Sequence, residues 1–144
     1  MTIEDVLTYS RVIKRIIDNV PEVNSLTKFK LLGMLKQFES TVDNFNTIRE
    51  EKIQKYGSYD SEGRFGIFEP HEEDFETITD FKEAYKNFEE IMNNFNKDLD
   101  EILHSESDLQ IKKIKYTDII DAGIPADYLM VLYNLIEEWF GGNE

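Results

Sequence analysis

The chain of 144 residues contains no cysteine. That excludes a disulfide framework, thiolate zinc ligation and cysteine nucleophiles, and it suits a reducing cytoplasm. Proline and glycine are scarce, at three and seven, so long regular elements are expected in place of a turn-rich fold. Basic residues are outnumbered by acids, 16 to 30, which leaves a formal charge of −14. Such a chain lacks the clustered Lys and Arg that release counterions from nucleic acid or grip anionic lipid. Neither direct nucleic-acid binding nor membrane attachment is expected. No apolar run approaches the roughly 20 residues of a bilayer span. The N-terminus shows no basic start followed by an apolar signal segment. A Gly-rich phosphate loop, a Gly-x-Ser-x-Gly elbow and a His-Glu-x-x-His pair are likewise missing.

What is present is a core-forming composition, with 40% hydrophobic residues. That suffices for a single acidic helical domain over residues 1–144. Thr2 and Asp5 form a capping-box-like start. Val6, Tyr9, Val12, Ile13, Ile16, Ile17 and Val20 follow at helical spacing and predict a helix over 3–19, ended by Pro21. Asn24 or Ser25 caps a second helix to Tyr56. Its predicted stripe is Leu26, Phe29, Leu32, Leu35, Phe38, Val42, Phe45, Ile48 and Tyr56, with Gly33 as a local weakness. Gly63 sits in a short β-hairpin predicted within 57–70.

A third helix is predicted over 72–104, striped by Phe75, Ile78, Phe81, Tyr85, Phe88, Met92, Phe95, Leu99 and Ile102. Leu109, Ile111, Ile114 and Tyr116 predict an edge strand guarded by Lys112, Lys113 and Lys115. Pro125 opens a last helix to Phe140, which carries Tyr128, Leu129, Leu132, Leu135, Ile136 and Trp139. The expected fold is mainly α: an antiparallel hairpin of long helices, closed by the N- and C-terminal helices. Phe38 and Phe88 are expected in its core.

Charge is uneven. Residues 1–56 balance eight acids with nine bases, whereas residues 57–108 hold sixteen acids against Arg64, Lys82, Lys86 and Lys97. Within the predicted third helix, Glu73, Glu76, Asp80, Glu83, Glu90, Asp98 and Glu101, with Asn87 and Asn94, step by three or four residues. They would share one helical face, away from the apolar stripe. Such a face either aids solubility or docks on a basic partner, which charge would attract and orient.

Ser58, Asp60, Glu62, Gly63, Phe65 and Glu69 mimic the spacing of a calcium loop, but Ser58 replaces the leading Asp and Pro70 follows the final Glu. Glu101 and His104 have the Glu-x-x-His spacing of di-iron helices, yet His71 belongs to no second pair. No metal, no cofactor and no enzymatic activity are expected.

The order of elements carries a resemblance. Ser25-Leu26-Thr27-Lys28-Phe29 opens the long helix, and Arg49-Glu50-Glu51 lies near its end. Tyr56-Gly57 and Asp60-x-Glu62-Gly63 make the turn, followed by an acidic helix, a Lys-Ile segment and a C-terminal helix. In this the chain resembles a family of small acidic tailed-bacteriophage proteins of uncharacterised function. The resemblance implies phage origin and the host bacterial cytoplasm, and it assigns no catalytic residue. The functional expectation is a non-enzymatic protein that binds a basic host protein through its acidic face, as an inhibitor of a defence or nucleic-acid-processing enzyme. The alternative is a virion or assembly component that oligomerises.

Overall fold

A computed structural model describes residues 1–137. It is mainly helical, with α1 (Ile3–Asn19), α2 (Ser25–Tyr56), α3 (Ile78–Leu103) and α4 (Ala126–Val131). Two small sheets pair β1 (Ser58–Tyr59) with β2 (Phe65–Gly66) and β3 (Ile114–Lys115) with β4 (Ile136–Glu137). The chain packs as two compact units, one of residues 1–43 and 105–144, the other of residues 44–104.

In the first unit, Thr2 and Asp5 close the capping box on α1: Asp5 N–H donates to Thr2 Oγ1 at 3.2 Å, and Thr2 N–H donates to Asp5 Oδ2 at 2.9 Å. Asn24 starts α2, its Oδ1 accepting from Thr27 N–H at 2.9 Å. The core takes Val6, Ile13 and Ile16 from α1 and Leu31, Met34 and Phe38 from α2. From the C-terminal segment it takes Ile114, Ile119, Leu132, Leu135 and Ile136.

Of the predicted stripe on α2, Phe38 is buried and Leu35 and Val42 are partly buried against the core, but its first members are not; Thr27, Leu31 and Met34 take their place beside Phe38. Leu26, Phe29 and Leu32 are 63%, 74% and 47% exposed. Two apolar rows at helical spacing lie on this segment, and at about 100° per residue Phe29 points roughly 180° from Phe38. Thr27 joins the buried row because its hydroxyl donates to Asp118 O at 2.8 Å.

The C-terminal segment also departs from expectation. α4 ends at Val131, and Tyr133–Leu135 form a 3-10 turn. Ile136 is extended and pairs with Ile114 in a parallel register. Burial of Leu132, Leu135 and Ile136 together with a ladder to β3 overrides the helical spacing of these residues. Trp139, Phe140 and the Gly141-Gly142 stop lie outside the described residues. Of the predicted edge strand only Ile114 and Lys115 pair. Lys112 is held differently: Gln37 accepts from its N–H at 2.8 Å and donates to its carbonyl at 3.3 Å.

In the second unit, the end of α2 leads into the β1–β2 hairpin, where Tyr59 faces Phe65 in antiparallel register. Gly63 takes φ +80° in the turn. α3 returns against the last turns of α2, with Phe95 and Leu99 buried. Phe88 is only half-buried, so the second expected core ring is not fully enclosed. Phe75, just before α3, and Phe81, Tyr85 and Phe88 on it form a chain of tilted rings with centroids 5.7–5.8 Å apart.

α3 begins at Ile78, six residues later than predicted. Thr77 is its N-cap, with extended backbone and a hydroxyl accepting from Asp80 N–H at 3.1 Å. Residues 72–74 form a separate 3-10 turn.

Candidate functional site

The later start of α3 divides the predicted acidic face. Asp80, Glu83, Glu90 and Glu101 are on the helix and exposed. Glu73 lies in the 3-10 turn and Glu76 in the loop before the cap, so helical phase does not align them with the rest. The face that survives, with Asn87 and Asn94, spans about 80° of arc. Its centre lies about 140° from the apolar stripe, so it points largely away from the packed side, with only its Asp80 and Asp98 edge coming near the stripe.

That geometry explains Asp98. It sits at the edge of the face nearest the stripe and is half-buried. Tyr56 Oη donates to Asp98 Oδ2 at 2.7 Å, and Lys52 and Lys55 approach the same oxygen at 3.6 and 3.9 Å. Asp98 is thus a structural acceptor joining α2 to α3 rather than a free docking charge. At Asp80, Glu83, Glu90 and Glu101, by contrast, no described basic group lies within ion-pair distance.

The Tyr56 hydroxyl holds the Asp98 carboxyl below the usual carboxylate range; partial burial opposes this and the two lysine charges reinforce it. A carboxyl depressed on folding adds stability above its unfolded pKa of about 3.9 and loses it as pH falls through the folded value. Asp98→Asn is therefore expected to flatten the acid limb of the stability-versus-pH curve while leaving its shape above pH ~6 unchanged. Urea titrations from about pH 2 to 7 check this, and an unaltered acid limb would remove Asp98 from the α2–α3 contact.

The acids of the hairpin are also committed. Asp60 Oδ1 accepts from Glu62 N–H at 2.9 Å and Arg64 N–H at 2.8 Å, and Arg64 Nε donates to Asp60 Oδ2 at 2.8 Å. Burial pushes the Asp60 carboxyl up, but the bonds from Arg64 and Glu62 outweigh it and hold it below the usual range. The residues with calcium-loop spacing thus serve as a turn whose central carboxylate faces N–H donors. His104 caps the C-terminus of α3 with Nδ1 2.8 Å from Asp100 O. Among the described residues no cluster of three or more His, Asp or Glu could hold a metal ion. No described helix is long and apolar enough to cross a membrane.

Charge follows the division into units. Residues 44–104 carry sixteen acids and seven bases, a net of −9. The rest of the chain carries fourteen acids and nine bases, and four of those nine, Lys30, Lys112, Lys113 and Lys115, line one cavity. The sequence pattern marked three of these lysines as guards of an edge strand. They come to one cavity with Lys30 where Gln37 ties the Lys112 backbone to α2, a contact that no sequence motif announces. Compared with family models, curated proteins and solved structures, the chain matches none.

Proposed function

We propose that this chain acts by binding: a non-enzymatic, phage-type protein whose exposed acidic row on α3 docks on a basic surface of a host protein. One observation carries this. Asp80, Glu83 and Glu90 stand exposed on one face of α3, the first two a turn apart, and no described cation within ion-pair distance neutralises them. Like charges at such spacing cost about 0.2–0.5 kcal/mol per pair in an isolated helix, a cost that an opposing basic surface removes. The resemblance to tailed-phage proteins favours a partner in the bacterial cytoplasm.

The charge density refines the partner class. α3 carries seven acids and three lysines over 26 residues, or about 39 Å. That is one acid per roughly 5–6 Å, against one phosphate per 3.4 Å on a DNA strand. The match is to a basic groove as a field, not phosphate by phosphate. Inhibition of a nucleic-acid-processing enzyme would follow from occupying such a groove.

The test begins with capture of partners from bacterial lysate at low and high salt, then measures the purified partner directly. Asp80→Lys, Glu83→Lys and Glu90→Lys together are expected to abolish binding, with circular dichroism and melting temperature nearly intact. Association by wild type should slow as salt rises, because the Debye length is already only about 8 Å at physiological ionic strength. Competition by DNA would identify a nucleic-acid groove. Equal affinity of the triple variant would reduce the row to a solvated surface.

A second function, as an oligomerising virion or assembly component, is favoured by exposed Leu26, Phe29 and Leu32 on α2. Light scattering separates the two: ordered multimers dissolved by Phe29→Glu support assembly, and a monomer that binds its partner supports docking.

A further inference from the structure

From the first unit we infer a second, independent site: the lysine-lined cavity is a binding site for a small organic phosphate of nucleotide size. The cavity measures about 510 Å³, within the roughly 300–1,000 Å³ usual for small-molecule sites. Lys30, Lys112, Lys113 and Lys115 line it, against the carboxylates of Asp118 and Glu137. The lining is thus net positive inside a unit whose net charge is −5. A solvated acidic surface has no need to gather four of the unit's nine bases around one hollow.

The hollow is built rather than incidental. Lys30 is half-buried and fixed at its margin, with Nζ 2.7 Å from Asp118 Oδ2. Asp118 is itself anchored where its carbonyl accepts from the buried hydroxyl of Thr27. Gln37, also lining the cavity, bonds both the N–H and the carbonyl of Lys112 and so ties the lysine strand to α2. No described carboxylate lies within ion-pair distance of Lys112, Lys113 or Lys115.

Gly33 supplies an independent mark. A glycine in the middle of a helix weakens it relative to alanine. Here it serves no close packing, since a Cβ built on it meets nothing within 4 Å. It lies in the cavity wall, where a side chain longer than alanine's would reach into the open space. Met34 and Ile114 add apolar lining, suited to a ring or carbon skeleton.

The ligand chemistry follows from these parts. Ammonium groups act as point charges on phosphate oxygens, and several can share one phosphate without the planar fork of arginine. The apolar part of the lining asks for a body attached to that phosphate.

Isothermal titration of the full chain with AMP, ATP, inorganic phosphate and an Asp/Glu octapeptide tests the inference. One saturable site for AMP and ATP is expected, with inorganic phosphate at least tenfold weaker because it leaves Met34 and Ile114 uncovered. Lys113→Ala with Lys115→Ala should weaken nucleotide binding tenfold or more. Gly33→Leu should do the same by filling the space, whereas Gly33→Ala should bind normally and melt at or above the wild-type temperature. Circular dichroism confirms that each variant folds, and the lysine pair keeps the test open should Gly33→Leu fail to fold. Absence of saturable nucleotide binding up to about 10 mM overturns the site. So does binding unchanged in the lysine pair. Phosphate binding as tight as AMP overturns the organic body, and tighter binding of the octapeptide makes the hollow a peptide groove.

Discussion

Phe38→Ala is expected to cost about 3–5 kcal/mol of unfolding free energy, the range for deleting a fully buried phenyl ring. Phe38 is 0% exposed and lies at the centre of the first unit's core, where its ring centroid sits 6.3 Å from that of Tyr9. Alanine removes the ring and leaves a space that α1 and α2 cannot close, because each is tied by caps and by buried neighbours at Ile13, Leu31 and Met34. With total stabilities of about 5–15 kcal/mol, such a loss consumes a large share. Phe88→Ala is the internal comparison. Phe88 is half-buried among the rings of α3, so its loss should be less than half as large. Urea denaturation followed by circular dichroism reads both. A change below about 1 kcal/mol at Phe38 would take it out of the core.

That contrast shows where sequence suffices and where it does not. The ends of α1 and the start of α2 are legible because local chemistry decides them: Thr2 with Asp5, Pro21, and Asn24 bonded to Thr27 N–H. The hairpin is legible for the same reason, since Asp60 and Gly63 hold it locally. The inward face of α2 is not legible. Phe38 is the predicted member that is buried, but Leu26, Phe29 and Leu32 are as apolar as Leu31 and Met34, and only packing against α1 and the C-terminal segment selects the latter in the first turns. Leu132, Leu135 and Ile136 fit a helix equally well in spacing, until the parallel pairing of Ile136 with Ile114 places them in the core by another route.

The acidic face fared similarly. Glu73 and Glu76 step correctly onto Asp80, but spacing cannot show that Thr77 caps the helix between them. Asp98 keeps its place on the face and yet belongs to the packing, because Tyr56, 42 residues earlier, brings its hydroxyl to it. Long-range partners of this kind leave no mark in periodicity. The sequence-level alternatives, solubility or docking, remain properties of the four exposed acids alone.

Gly57→Ala is the second substitution expected to act strongly, through crowding instead of loss. Gly57 joins α2 to β1, and its N–H donates to Ile53 O at 2.7 Å. A Cβ there would lie 2.6 Å from Ile53 O, 2.9 Å from Gly66 O and 2.9 Å from the Phe65 ring. Two of those neighbours are backbone oxygens, one in the last turn of α2 and one in β2, so neither can swing aside as a side-chain tip would. Either α2 loses its final turn or the pairing of Ser58 with Gly66 opens. Overpacking of this kind costs about 1–3 kcal/mol. The damage should be local: faster hydrogen exchange at Tyr59, Asp60 and Phe65, with the amides of α1 protected as in wild type. Because Tyr56 is the adjacent residue, its bond to Asp98 should weaken too, and the acid limb of stability should shift toward that of Asp98→Asn. Hairpin protection and melting temperature equal to wild type would show that the close approach at Gly57 does not exist. Selective loss of hairpin protection would instead establish that a missing side chain holds α2, β1 and β2 together at this junction.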